Sequence, residues 1–309
     1  MIVVCGETLI DLVHVEGDLW RALPGGSPAN AAVALARLGT PTAMLARISG
    51  DAFGLRLRER LMENSVDTRF VVDAAEPSSV AVVDLDDKGG ARYSFYLNGT
   101  ADWQWAASEL PPDFGPEVAA IHTGSMALFL PPGGAVIEAR LSRERVSRVI
   151  SIDPNVRASI CPDVNRYRET VERWLTLAHI VKASADDVSW LYPDRPVGDV
   201  LLDWSGRGPS VVVLTLGTDG AVARTSSGVL VQSPGFEVNV VDTIGAGDTF
   251  SAALLHALSE LGCLDVVALA SISASKLEIA VRFAVRVSAL SCTRAGADPP
   301  YGQDLPPVA

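Results

Sequence analysis

The chain has 309 residues, 48% of them hydrophobic and 20% charged, enough for one large apolar core with a smaller appended unit. Its formal charge of −12 repels polyanions and excludes nucleic acid and acidic membrane surfaces as partners, so a phosphate-bearing ligand has to be held by local geometry. The four cysteines, Cys5, Cys161, Cys263 and Cys292, are scattered without a C-x-x-C pair and read as reduced core residues, which excludes a disulfide framework and a zinc site.

The N-terminal run MIVVCGETLIDLV has no basic leader and carries Glu7 and Asp11, so it reads as a strand and not as a signal peptide. No stretch is long and apolar enough to span a bilayer, and a cytoplasmic protein is expected. Asp11 is expected to close this first strand, where ligands gather in open α/β sheets. The next segment, DLVHVEGDLWRALPGG, is extended and interrupted by glycine. In GGSPANAAVALARLG, Gly25 to Gly39, Ser27 reads as a helix N-cap and Pro28 as the first helical residue, which puts Asn30 on the first turn facing the strand ends. TAMLARI follows as a strand and FGLRLRERLMEN as a helix.

SSVAVVDLDDKGGARYSFYLNG, Ser78 to Gly99, alternates with period two about Asp86-Asp87-Lys88-Gly89-Gly90, the signature of a hairpin. With the earlier extended segment it predicts a small antiparallel sheet, from about residues 12–24 and 77–103, forming a lid over the strand ends. Tyr93 and Phe95 share one face of this lid, and the parity of Arg92 is opposite.

Farther on, VISIDPN, IVKAS and VVVLTLG read as strands alternating with helices, which predicts one α/β domain over 1–309 with a doubly wound, mainly parallel sheet flanked by helices. Period-two spacing would put Asp153, Asn155 and Arg157 on one side of an extended segment, while Pro154 and Asn155 can instead make a surface turn, which spacing alone slightly favours. TLGTDGA offers Thr215, Gly217 and Gly220 in a turn after a buried strand.

In VVDTIGAGDTFSAALLHAL a strand-like run becomes an apolar helix at Gly245-Ala246-Gly247. The first amides of a helix lack intrahelical partners and sit at the positive end of its dipole, and glycine lets a ligand approach them, so this junction is an anion site. Asp248 follows in the first turn, where a carboxylate beside a bound phosphoryl group can take the proton of an attacking hydroxyl. That is the layout of a kinase. The helical stripe Phe283, Val287 and Leu290 reads as core, with an adenine pocket nearby. His14, His122, His179 and His256 lack metal-ligand spacing. The tail DPPYGQDLPPVA reads as loosely held.

Asp242 to Phe250 spells D-T-x-G-A-G-D-x-F, and Gly25 to Gly39 supplies a second motif about two hundred residues earlier. By these motifs the chain resembles, over nearly its whole length, the ribokinase-like (pfkB-type) carbohydrate kinases. Among them it resembles bacterial fructokinases, through SPAN, YSFY, GTADW, DPNVR and CTRAGADPP. The resemblance implies a ribokinase-like fold and transfer of the ATP γ-phosphoryl group to a primary hydroxyl of a small sugar, fructose giving fructose 6-phosphate. It implies Asp248 as catalytic base, with Gly245, Ala246 and Gly247 as the anion hole and Arg157 stabilising the transferred group. Asp11, Gly26 and Asn30 would bind sugar hydroxyls beneath Tyr93 and Phe95. Lys182, Ser184, Thr215, Gly217 and Gly220 would bind the nucleotide.

The same resemblance implies a monovalent cation, K⁺, held by Asp242, Ile244, Ser291, Arg294 and Gly296, and a homodimer formed through the lid. VKASADDVSWL departs from the family's K-x-N-x-x-E, with Ser184 and Asp187 in place of the amide and the longer acid. Mg²⁺ would then be carried by the nucleotide, with few direct protein ligands. The competing acceptors are 2-keto-3-deoxygluconate and ribosides. Kinases of that acidic sugar tend to carry arginine where Leu97 stands, and Arg92 is the one lid base nearby. A dinucleotide oxidoreductase would need G-x-G-x-x-G where CGETLID stands, and a silent sugar-binding regulator would lack Asp248.

Overall fold

The structure is a computed structural model that describes residues 1–85 and 91–309. The hairpin turn expected at Asp86 to Gly90 lies outside the described residues. In chain order β1 (Ile2–Cys5) leads to β2 (Leu9–Glu16), β3 (Leu19–Gly25), α1 (Ser27–Arg37), β4 (Thr42–Ser49), α2 (Ala52–Glu63), β5 (Asp67–Ala74), β6 (Val80–Leu85) and β7 (Ala91–Tyr96). Next come β8 (Ala120–Gly124), α3 (Gly133–Glu144), β9 (Val149–Asp153), α4 (Val164–Leu175), β10 (Ile180–Ser184), α5 (Ala185–Leu191), α6 (Val197–Ser205) and β11 (Val211–Thr215). The chain ends with β12 (Ala221–Thr225), β13 (Leu230–Ser233), α7 (Ala246–Glu260), α8 (Val266–Ala270) and α9 (Ala274–Ser291).

Nine strands form one sheet in the order β13-β12-β11-β10-β9-β8-β1-β4-β5. From β5 to β11 neighbours run parallel, and β12 and β13 finish the edge as an antiparallel hairpin. The parallel strands are apolar on both faces because helices cover both. Ile2 and Val4 enter one core with residues of α1, α7 and α9, while Val3 and Cys5 enter the other with residues of α3 to α6. Val211 and Val213 divide from Val212 and Leu214 in the same way. Of the cysteines, Cys5, Cys161 and Cys263 are buried and Cys292 is half-buried, all as free thiols.

A second sheet has the order β3-β2-β6-β7. It is mixed and not purely antiparallel. Two antiparallel hairpins lie side by side, and their inner strands are parallel, with Ile10 opposite Val80 and Val13 opposite Val83. Each hairpin leaves the body on its first strand, so the two outgoing strands run in the same direction.

The lid boundaries also move. The first arm starts at Leu9, and the chain after Tyr96 folds back into the body, where Trp103 packs with Leu9, Ala81 and Met126. The Asp102 carboxylate fixes this return. It accepts the Thr8 amide at 2.8 Å and the Ser79 hydroxyl, at the roots of both outgoing strands. Asp11 accordingly belongs to β2 of the small sheet and does not close the first strand, because Gly6, at φ +152°, breaks the chain after Cys5.

Candidate active site

α7 begins at Ala246, with Gly245 before it in the left-handed region at φ +75°. No side chain caps this helix start, and the Thr249 amide makes its first helical bond, to the Gly245 carbonyl at 2.8 Å. Among the described residues the Gly247 and Asp248 amides have no acceptor, so they remain available to an anion at the positive end of the dipole. Asp248 is buried beside them. Its Oδ1 accepts the Ser27 hydroxyl at 2.7 Å and its Oδ2 accepts Asn30 Nδ2 at 2.9 Å. Burial pushes the Asp248 carboxyl above the usual range, and the bonds from Ser27 and Asn30 oppose that shift.

Ser27 is therefore not the helix N-cap. Gly26 takes that place at φ +101°, Ser27 is the first helical residue, and its hydroxyl turns to Asp248. A side chain at Gly26 would bring a Cβ within 2.7 Å of the Glu7 carbonyl, which excludes any larger residue from this corner. Asp153, Asn155 and Arg157 do not share one side of an extended segment either. β9 stops at Asp153, whose Oδ1 accepts the Asn155 amide at 3.1 Å, and Asn155 turns to φ +39°. The three side chains separate. Asp153 Oδ2 takes Lys182 Nζ at 2.9 Å and the Ser251 hydroxyl at 3.2 Å, Asn155 Nδ2 donates to Ser27 Oγ at 2.7 Å, and Arg157 donates to Asn155 Oδ1 at 2.6 Å.

Lys182 is buried, and a methyl added to Gly247 would stand 2.9 Å from its Nζ, so the ammonium lies against the backbone of the anion site. The Asp153 charge holds the Lys182 pKa up against the burial that would lower it. Ser184 and Asp187 are occupied locally. They form a capping box on α5, and the other oxygen of Asp187 accepts the Val156 amide at 2.8 Å.

Thr215 ends β11, and Gly217 and Gly220 turn there at φ +60° and +94°. This turn packs on the segment after β13, where a Cβ on Gly220 would meet the Ser233 carbonyl at 2.1 Å. Beside it opens a cavity of about 530 Å³ lined by Ser233, Phe236, Phe283, Val285, Arg286 and Pro306, among others. In the stripe read as core, Phe283 thus borders a cavity, Val287 is fully buried and Leu290 is half-buried.

Across the cleft, burial raises the Asp11 carboxyl to about 6, with Arg157 and Arg60 drawing it down and Asp248 adding to the rise. Tyr93 and Phe95 stack at 5.9 Å between ring centroids, and the Tyr93 hydroxyl is shifted upward by burial and then by the charge of Asp11.

Sequence reasoning missed Arg60. In RLRER it passes for a solvated charge, yet it lies three residues after the buried Leu57, and that spacing is the one signal that it faces inward. Its guanidinium donates to Pro24 O, to Ala297 O at 2.9 Å and to Asn30 Oδ1 at 3.3 Å. Glu7 was also missed as part of the site. It is 1% exposed with neither carboxylate oxygen bonded, Ser125 lying close without making a bond of good geometry.

The residues of the expected cation site come together through Asp242, whose carboxylate accepts the Ile244 amide at 3.0 Å and the Gly296 amide at 2.7 Å. Those bonds lay the loop before α7 beside the loop after α9, where the Arg294 amide bonds Ser291 O at 3.2 Å. Among the described residues no group of three or more His, Cys, Asp or Glu side chains is arranged to hold a metal ion.

Residues 1–303 match the pfkB family of carbohydrate kinases. The chain is 38% identical over 262 residues to a fructokinase of Rhizobium leguminosarum bv. trifolii, covering 84% of this chain and 79% of that protein. A fructokinase of Xylella fastidiosa with bound ATP is similar in structure, with a TM-score of 0.88 and 26% identity over 96% of this chain and 93% of that one. A fructokinase from Vibrio cholerae O395 in its fructose, ADP and calcium ion bound form gives a TM-score of 0.83 and 29% identity, covering 96% and 94%. The sheet order, the helices on both faces and the small second sheet are thus those of the ribokinase-like architecture that the motifs implied. The chain belongs to the pfkB family of carbohydrate kinases.

Proposed function

We propose that the enzyme transfers the γ-phosphoryl group of ATP to the primary 6-hydroxyl of fructose. The observation that carries this reading is the buried Asp248 carboxylate beside the uncapped start of α7, with Asp11 and Asn30 facing it beneath Tyr93 and Phe95. Asp11, Asn30 and the backbone at Gly26 bind sugar hydroxyls. Asp248 accepts the proton of the attacking hydroxyl as its oxygen bonds to the γ-phosphorus and the bond to the bridging oxygen of ADP breaks. Charge on the phosphoryl oxygens falls on the Gly245-Ala246-Gly247 turn, where the Gly247 and Asp248 amides are free among the described residues and that of Ala246 bonds Thr243 O at 3.2 Å, with Arg157 in front and the Lys182 ammonium against Gly247.

The turn of Thr215, Gly217 and Gly220 receives the nucleotide phosphates, and the adjoining cavity is apolar enough for the base. Mg²⁺ carried by the nucleotide would neutralise phosphate charge, with no direct ligand from Ser184 and Asp187, which are taken up by the α5 cap. K⁺ would sit by the two loops that Asp242 joins, with Asp242, Ile244, Ser291, Arg294 and Gly296 the residues to hold it. Exposed Val15, Leu19 and Trp20 on the first lid arm support a homodimer. Free cysteines and an ATP requirement support a cytoplasmic location.

A neutral acceptor is favoured over an acidic one by what surrounds the lid. Leu97 packs with the apolar cluster of Leu9, Trp103 and Met126, and the Arg60 guanidinium is already engaged with Pro24 O, Ala297 O and Asn30 Oδ1. The side chain of Arg92 lies outside the described residues. An unpaired carboxylate in this lid would cost several kcal/mol. Coupled ADP release measured across a sugar panel should give fructose a kcat/KM at least about a hundredfold above 2-keto-3-deoxygluconate and ribosides, roughly 2.7 kcal/mol. Equal or better use of the acidic sugar would overturn fructose and leave the kinase standing.

A further inference from the structure

Four side chains from three separate parts of the fold, α1, the segment after β9 and the start of α7, form one continuous row of hydrogen bonds that ends on Asp248. Arg157 donates to Asn155 Oδ1 at 2.6 Å, Asn155 Nδ2 donates to Ser27 Oγ at 2.7 Å, and Ser27 Oγ donates to Asp248 Oδ1 at 2.7 Å. Elementary donor counting fixes the direction of every bond. A guanidinium can only donate, so the amide of Asn155 must turn its oxygen toward Arg157 and its NH₂ toward Ser27. The Ser27 oxygen is then accepting, and the single proton of its hydroxyl is left for the carboxylate. Asn155 holds φ +39°, in the left-handed region that asparagine enters more readily than most residues, and the Asp153 carboxylate pins its backbone amide at 3.1 Å, which fixes the side chain's direction into the site.

We propose that Ser27 and Asn155 are positioning residues that orient Asp248, resting on the reading of Asp248 as the base, and that they leave Oδ2 as the oxygen that takes the substrate proton. Oδ1 carries the Ser27 bond and a second, longer approach from Asn155 Nδ2 at 3.5 Å, whereas Oδ2 carries Asn30 alone. The row also ties the base to Arg157, the residue that meets the transferred group, so the two ends of the reaction share one rigid network. Around Asp248 the other charged or titratable groups are Asp153 from the end of β9, Lys182 from β10, Arg60 from α2, and Asp11 and Tyr93 from the lid. None of them is altered by changing the row.

The test is the pH profile of kcat/KM for fructose with Ser27→Ala, Ser27→Thr, Asn155→Gly and Asn155→Asp. Loss of the Ser27 donor removes a bond to the charged form of the base, so the acid limb of Ser27→Ala should move up by about one pH unit, with kcat about tenfold lower and the KM for ATP within about twofold of the parent. Ser27→Thr keeps the hydroxyl and should restore the profile. Asn155→Gly removes the amide at a φ that glycine adopts freely, so it stays folded even if Ser27→Ala does not, and it should move the limb in the same direction. Asn155→Asp, nearly equal in size, can neither donate to Ser27 nor tolerate Asp248, and should be the most impaired. An acid limb that stays in place in both Ser27→Ala and Asn155→Gly would overturn the proposal. Asp248→Asn separates the two readings: turnover in that variant would sink the base itself, and its loss beside unmoved limbs would sink only the row.

Discussion

At the scale of single residues, the site holds more buried carboxyl than its bonds can satisfy. Asp248 and Asp102 each have two good donors, but Glu7 has none, and burial raises its carboxyl from 4.5 to about 7. The folded protein therefore holds the Glu7 proton more tightly than the unfolded chain does. The stability from that bound proton is full below about pH 4.5 and is lost as pH rises through about 7, in total on the order of 3 kcal/mol. Glu7→Gln removes the charge that costs this, so its melting temperature should exceed the parent's by a few degrees at pH 8 and vary less between pH 5 and 8. Thermal melts across that range check it, and a variant less stable than the parent at pH 8 would show that the charged form of Glu7 has a partner. Arg157 faces Glu7 and lowers its carboxyl, the direction expected if the acid is kept for its effect on that guanidinium.

At the scale of elements, the lid is the least self-sufficient part of the fold. Its four strands contribute only Leu9 and Ala81 as buried members of a small apolar cluster completed by Trp103 and Met126 of the body, and Tyr93 and Tyr96 remain exposed at 38% and 64%. A small sheet of this kind opens locally at low free energy, and what holds it down is a pair of roots pinned by Asp102 together with whatever fills the cleft. Fructose beneath Tyr93 and Phe95 should supply the missing contacts and exclude water from the reacting centre. Amide exchange over Val80–Leu85 and Ala91–Tyr96 is expected to slow several-fold with saturating fructose, measured by mass spectrometry, while β1 and β8 stay unchanged. Unaltered exchange in these strands, with bound sugar confirmed independently, would take the lid out of the mechanism. α7 is the opposite case. Its start is fixed by Gly245 at φ +75°, where a Cβ would approach that of Ala297 to 2.7 Å.

For the whole molecule, the outer lid arm leaves Val15, Leu19 and Trp20 exposed at 53%, 67% and 44%. A second copy covering them would explain exposed apolar side chains at the edge of the small sheet. Light scattering should give the mass of a dimer for the parent and of a monomer for Leu19→Lys with Trp20→Lys, and a monomeric parent would remove the dimer. How much of this was legible in the chain depended on distance. Local physics wrote the parallel strands into unbroken apolar runs, and it wrote the anion site into Gly245-Ala246-Gly247 before an apolar helix, because helix starts and buried strands constrain their own residues. The two hairpins were visible by their period, but their parallel join was not, since it follows from how both arms leave the body. Ser27 looked like a cap, and Asn155 like either a turn residue or part of an extended segment, because caps, turns and alternation are local expectations. Only packing brought α1, the end of β9 and the start of α7 within 3 Å of one another, and there a hydroxyl and an amide serve Asp248 instead of their own backbone. Arg60 went unread for the same reason: a guanidinium on a long stem follows the carbonyls that the tertiary structure places near it, and those belong to residues far along the chain.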